Sequence, residues 1–295
     1  MNKALKIEGD CIMLDLNTVI ETGIVPKSSD LDPTLPNIKR LFRPDSGFIL
    51  FDADLEQADA QIVAWESDDD ILKEIFRDPD LDLHTENAKM IFGSCPYKSH
   101  PNRKKAKAGC HAVNYGVGAK TLAKTLGITV KEAEDFIKRW FEIHPGIKAW
   151  HNRTEHSMRS RGYIENVFGN RKYFFGDVTK PTALSEALAW VPQSTVGLVI
   201  NRAWEILDKY PENELNVLLQ VHDSLVGQVH HSRFASYLPK IRDAMLRPIP
   251  YNDPLTIGSS IEISPKSWGD IRGISWDGYW LDKDDNVTDE KCPFV

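Results

Sequence analysis

The sequence has 295 residues, 41% of them hydrophobic and 27% charged, with a formal net charge of −7. Length and composition describe an ordinary globular chain of one or two domains, able to bury a sizeable core. The acidic balance excludes a carpet-like nucleic-acid binder but leaves room for a local basic groove. The four cysteines, Cys11, Cys95, Cys110 and Cys292, show no CxxC pair and no zinc-site spacing, so they read as reduced intracellular thiols. The N-terminus "MNKALKIEGDCIMLDL" lacks a signal-peptide apolar block, and no apolar run reads as a membrane span. The expectation is a cytoplasmic protein with no membrane partner.

In chain order, "GFILFDADL" (47–55) is an apolar, β-forming run that ends on acids and predicts a buried strand. From Gln57 to about Phe92 the pattern turns helical and stops at Gly93. A further helix follows, with Pro101 suited to its first turn. The amphipathic stretch "TVKEAEDFIKRWFEIH" comes next, with Thr129 as N-cap and Pro145 beyond its end. "GYIENVFGNRKYFF" (162–175) predicts a hairpin turning at Gly169-Asn170. "SEALAWVPQSTVGLVINRAWEIL" is helical, with Pro192 expected to kink or break it. "LNVLLQVHDSLVGQVH" (215–230) reads as two strands meeting tightly at His222-Asp223, and the acidic end from residue 273 reads as a tail.

Within "RKKAKAGCHAVNYG" (103–116), Arg103, Lys107, His111 and Tyr115 recur every four residues and share one helix face. A row of this kind is compatible with plain solvation. The sharper alternative is a long anion whose phosphates meet Arg and Lys and whose base or sugar meets the rings, and this stretch alone does not decide. Asp54 at a strand end and Asp223 on a hairpin turn are each unremarkable alone. Both are flanked by strongly apolar residues, which brings them to the end of a buried sheet, where gathered carboxylates need a cation. Hard oxygen ligands on an open site suit Mg²⁺, and two such ions about 4 Å apart serve phosphoryl transfer. Together these parts point to nucleotidyl transfer.

These residues carry a resemblance. "DADLEQADAQIVAW", "RKKAKAGCHAVNYG" and "QVHDSLV" resemble motifs A, B and C of the A-family DNA polymerases, in order. "ETG" followed by "SS" near 21–29, "LPNIKRLF", "DLHTENAKMIFG", "GYIENVFGNRKY" and "PQST" support it over roughly 20–270. The resemblance implies an α+β fold, a polymerase palm with a small antiparallel sheet plus a mainly helical fingers subdomain, with thumb and exonuclease absent. Its expected divisions are palm at 1–60, fingers at 61–182, palm again at 183–272 and an acidic, aromatic tail at 273–295.

By the same resemblance, Asp54 and Asp223 would hold two Mg²⁺ ions (Mn²⁺ as substitute) with the Leu55 carbonyl. Arg103 and Lys107 would grip the triphosphate of an incoming dNTP, and Lys107 would donate a proton to departing pyrophosphate. His84, Gln57, Asp59, His111 and Tyr115 complete the nucleotide site. Gln193, Gln220, His222 and Tyr115 would meet primer-template DNA.

Three departures stand out. His111 occupies a position where the family has Phe or Tyr. Ser224 follows Asp223 where a second acid is usual, as in some single-subunit RNA polymerases. The sugar-gate carboxylate is Asp59, one methylene shorter than the usual Glu, so the resemblance implies leakier exclusion of ribose, while a carboxylate in place of the Gly of related RNA polymerases still points to DNA synthesis. The readings weighed against a DNA polymerase are an RNA-polymerase-like nucleotidyltransferase and a non-catalytic module that binds nucleic acid. The short lead before Asp54 raises the expectation of a split, viral enzyme whose thumb and exonuclease come from a second polypeptide.

Overall fold

A computed structural model describes residues 37–295 and, as backbone only, two short strands, β1 (Leu5–Glu8) and β2 (Cys11–Leu14), paired as an antiparallel hairpin. The motif matches at 21–29 lie outside the described residues. After a 3₁₀ turn at Ile38–Leu41 comes β3 (Phe48–Leu55). Seven helices then follow: α1 (Ala58–Glu66), α2 (Asp70–Arg77), α3 (Leu83–Phe92), α4 (Pro101–Asn114), α5 (Ala119–Leu126), α6 (Val130–Ile143) and α7 (Pro145–Arg161). A small hairpin of β4 (Tyr163–Glu165) and β5 (Arg171–Tyr173) leads to the long α8 (Pro181–Leu207). The chain closes with β6 (Leu215–Val221), β7 (Ser224–His230), α9 (Phe234–Met245), β8 (Ser259–Ser264), β9 (Arg272–Ile274), β10 (Tyr279–Leu281) and β11 (Val287–Lys291).

The main sheet is antiparallel, in the order β11-β10-β9-β8-β3-β7-β6. β3 is therefore paired on both sides, and the period-2 alternation of a strand sorts its residues strictly by face. Ile49, Phe51, Ala53 and Leu55 are buried in the helix-covered core together with Leu225, Val229, Ile261 and Ile263 from its neighbours. Leu50, Asp52 and Asp54 point the other way. Gly227 faces Phe51 across this pairing, where an added Cβ would sit 2.4 Å from the Phe51 ring and 2.6 Å from the Asn216 carbonyl. Only glycine fits there.

The helix boundaries follow from local chemistry. Asp69 and Asp82 cap α2 and α3 by accepting backbone N–H groups, and Thr129 with Glu132 forms a full capping box on α6. Pro101 occupies the first turn of α4, where its missing N–H is harmless.

Four expectations are corrected. The stretch from 273 is no tail: β10 and β11 extend the sheet beyond β9, Trp276 donates to the Ser259 carbonyl at 2.6 Å, and Cys292 is buried. Pro192 does not interrupt α8, because packing holds the turns on either side: Leu188, Val191, Thr195 and Val196 are all buried. α8 is also long and apolar enough by length and composition to cross a membrane, contrary to the sequence reading. Leu188, Ile200, Ala203 and Leu207 are wholly buried, so its apolar face belongs to the core. The hairpin at 163–173 turns through a five-residue loop, with Asn166 accepting the N–H groups of Phe168 and Asn170.

Candidate active site

The two sequence-predicted acids come together at one end of the sheet. Asp54 is the penultimate residue of β3 and lies in register with Ser224, the first residue of β7. Val221 pairs with Ser224, leaving His222-Asp223 as a two-residue turn, and the Leu55 N–H donates to the Asp223 carbonyl at 3.1 Å. Gln57 and His222, three residues after one acid and one before the other, both adopt left-handed backbone, with φ of 50° and 59°. Non-glycine residues rarely do so, and such strain gathers at functional sites.

The Asp54 carboxyl is pushed up to about 7, first by partial burial, then by the charges of Asp223 and Asp52 and a hydrogen bond with Asp223. His222 Nδ1 lies 3.0 Å from an Asp223 oxygen. Two further acids share this face. Asp52, two residues before Asp54, accepts from Trp268 Nε1 at 2.8 Å through one oxygen, while its other oxygen is buried without a partner. Glu262 lies opposite Asp52 in the β3–β8 register and is raised by burial and by Asp52. Strand alternation placed Asp52 beside Asp54 from the sequence alone, and the sequence reading passed over that signal.

Five residues beyond Asp54 a cavity of about 420 Å³ opens between α1, α3, α4 and α6. Asp59, His84, Lys107, His111 and Tyr115 all line it, which brings together five of the predicted nucleotide-site residues. The Tyr115 hydroxyl donates to Asp59 Oδ2 at 2.9 Å, and burial beside that carboxylate raises the phenol far above its usual range. The His111 ring meets Tyr115 edge-on, with centroids 4.7 Å apart. Tyr115 lies just past the last helical residue of α4, not inside the helix. His84 is held down to about 4 by burial and by the charges of Lys107 and Arg103, so it is neutral at physiological pH.

Arg103 stands beside this cavity and is already paired. Its Nε and Nη2 each donate at 2.8 Å to Asp82, the cap of α3, leaving the other guanidinium N–H groups for a second anion. Asp82 was not among the predicted residues. Arg103 in turn holds its carboxyl well below the usual range. Gln57, Gln193, Gln220 and His222 are solvent-exposed and lie outside the cavity lining.

Among the described residues no group of three or more His, Cys, Asp and Glu has metal-site geometry. The Asp54–Asp223 pair still fits a hard cation. Two hydrogen-bonded carboxylates, one forced towards neutrality, regain their charge when a divalent ion replaces the shared proton. A two-carboxylate site also leaves positions for a backbone carbonyl, phosphate and water.

Comparison with known proteins shows the family of the chain. Residues 26–270 match DNA polymerase family A. The chain is 32% identical over 257 residues to DNA polymerase I, thermostable, of Thermus filiformis, covering 81% of this chain and 30% of that one. It is 31% identical over 253 residues to DNA polymerase I of Pseudomonas aeruginosa, covering 79% and 28%. The polymerase domain of Pol1 from M. smegmatis, solved with DNA primer-template and dNTP, is similar in structure with a TM-score of 0.69 and 26% identity, over 78% of this chain and 42% of that one. The chain spans under a third of the length of these two curated relatives.

Proposed function

Because the chain belongs to DNA polymerase family A, we propose that its core is the catalytic centre of a template-directed DNA polymerase, extending a primer 3′ end with deoxynucleotides by two-metal nucleotidyl transfer. The observation that carries this reading is the Asp54–Asp223 pair, five residues from a cavity lined by Asp59, His84, Lys107, His111 and Tyr115. Asp54, Asp223 and the Leu55 carbonyl would hold Mg²⁺, or Mn²⁺ in its place. The cations supply activation of the primer hydroxyl and neutralisation of charge on the leaving pyrophosphate.

The chain's own residues perform the rest. Lys107, exposed on α4, meets the triphosphate and passes a proton to pyrophosphate as it departs. Arg103, held in orientation by Asp82, presents its remaining donors to the same phosphates. Neutral His84 offers a hydrogen bond without adding charge. His111 and Tyr115 pack on the sugar and base. Asp59, fixed by the Tyr115 hydroxyl, fills the space a ribose 2′-hydroxyl would need, and this favours a DNA over an RNA polymerase. Gln193, Gln220 and His222 are exposed where a primer-template could reach them. A second polypeptide would add to the grip on duplex DNA and supply an exonuclease.

Primer extension with the purified chain, Mg²⁺ and dNTPs tests the proposal. Incorporation that Asp54→Ala or Asp223→Ala abolishes supports it. Nucleic-acid binding that survives both changes, with no incorporation by the unaltered chain, identifies a non-catalytic module instead.

A further inference from the structure

Asn114, the last helical residue of α4, is joined to two other helices at once. Its side-chain oxygen accepts from Trp140 Nε1 of α6 at 3.0 Å, and its backbone carbonyl lies 2.9 Å from His151 Nε2 of α7. A carbonyl can only accept, so His151 carries its proton on Nε2. All three residues are buried: Asn114 is 9% exposed, Trp140 1% and His151 5%. The next residue is Tyr115, whose hydroxyl holds Asp59 of α1 at 2.9 Å. A continuous chain of hydrogen bonds and one peptide therefore links α6 and α7 to the carboxylate facing the cavity. Asn114, Tyr115, Asp59 and Trp140 all line that cavity.

Helix α4 needs such a fixture. Its cavity-facing residues His111 and Tyr115 lie in the last turn and just beyond it, where the terminal carbonyls take partners from outside the helix: those of Val113 and Ala112 accept from the Gly116 and Val117 N–H groups at 2.9 and 3.1 Å. Gly116, directly after Tyr115, has a left-handed φ of 72°, so the helix cannot continue through it. The His151 donor occupies one of those terminal carbonyls, and the Trp140 donor fixes the same residue's side chain.

We infer that Asn114 and His151 are positioning residues for sugar selection: by pinning the end of α4 they set where Tyr115 holds Asp59, and so how closely the cavity fits a deoxyribose. This inference rests on the polymerase reading above. His151 is held down to about 4, mainly by burial, so it stays neutral and the contact persists throughout the neutral range.

The experiment compares the purified chain with Asn114→Leu, His151→Phe and His151→Gln. It measures kcat and KM separately for dNTP and rNTP addition to a primed template, with melting temperature recorded alongside. Ile241→Ala, a buried change on α9, serves as a control for loss of stability alone. Asn114→Leu and His151→Phe are expected to raise the rNTP share of kcat/KM by about tenfold, mainly through a higher dNTP KM and a lower rNTP KM. His151→Gln, which keeps an N–H donor, returns the share to within about twofold of the original. A share unchanged in both disruptive variants overturns the inference, as does an equal rise in Ile241→Ala. Should Asn114→Leu fail to fold, the His151 pair alone decides. A chain that adds no nucleotide before any change refutes the polymerase reading and is recognised at that first step.

Discussion

Arg103 and Asp82 are locked together by two parallel hydrogen bonds of 2.8 Å, so the guanidinium beside the cavity is held in one orientation by the protein itself. Asp82 also caps α3 through the Thr85 N–H at 2.8 Å. The two duties separate by mutation, because Asn caps as well as Asp but carries no charge. Asp82→Ala is expected to cost about 1 kcal/mol more in urea denaturation than Asp82→Asn. Both remove an acid-range stability term. Arg103 depresses the Asp82 pKa, so this stabilisation is present above the unfolded carboxylate pKa and is lost as pH falls through the folded one. Equal losses in the two variants would show that the cap contributes nothing.

Asp54 behaves oppositely. Its pKa is raised to about 7, so the stabilisation it gives is complete below the unfolded value near 3.8 and disappears as pH rises through 7. In buffer free of divalent ions, melting temperature should therefore fall between pH 5 and pH 8. Asp54→Asn should flatten that fall and, at pH 8, melt about 2–4 °C higher, allowing for solvent screening of a half-open carboxyl. Adding Mg²⁺ at pH 8 should raise the melting temperature of the unaltered chain but not of the variant. A pH-independent melt would contradict the crowding of Asp54 by Asp223 and Asp52.

Lys107 is exposed on the cavity wall, so its charge is available to ligand and dispensable to the fold. Lys107→Ala should lower single-turnover incorporation at saturating dNTP by tens-fold or about 2–3 kcal/mol, while primer-template affinity changes little. Incorporation within about twofold of the original would remove Lys107 from the chemistry.

Under the proposed function, Asp59 and Tyr115 should make separable contributions to sugar choice. Asp59→Ala should raise the rNTP/dNTP ratio of kcat/KM by opening the space beside the 2′ position. Tyr115→Phe, which loses only the 2.9 Å hydrogen bond, should raise it less. A larger effect from Tyr115→Phe would place the gate on the tyrosine hydroxyl and not on the carboxylate.

Gly227→Ala tests the sheet beneath the site. An added methyl meets Phe51 and a backbone carbonyl well inside contact distance, so the variant should lose about 1–3 kcal/mol in denaturant unfolding. A neutral result would mean that β3 and β7 can spread apart at this point.

Much of this arrangement is legible in the sequence because its signals are local. Strand alternation in "FILFDADL" sends Asp54 to one face and Ala53 to the other, and four-residue spacing aligns Lys107, His111 and Tyr115. Asp82 escaped notice because its partner is 21 positions away, and nothing in "DPDLDLH" distinguishes a simple cap from a cap that also holds an arginine. The Asn114–Trp140–His151 junction escaped for the same reason, since three helices must pack before the residues meet. The C-terminal strands read as a tail because β9 and β10 have three residues each, too few for any period to emerge, and β11 is mostly charged.

β3 sits between two partners that come from far along the chain, β7 at 224–230 and β8 at 259–264. The same pairings that bury Phe51 also deliver Asp54 to Asp223, and a slip of one residue would swap Asp54 with Ala53. During synthesis α4 can form before the carboxylates meet, because Asp54 and Asp223 come together only once β7 has emerged and zipped onto β3. A chain truncated before β7 is therefore expected to lack the Asp54–Asp223 pair altogether, whatever α4 is still able to bind.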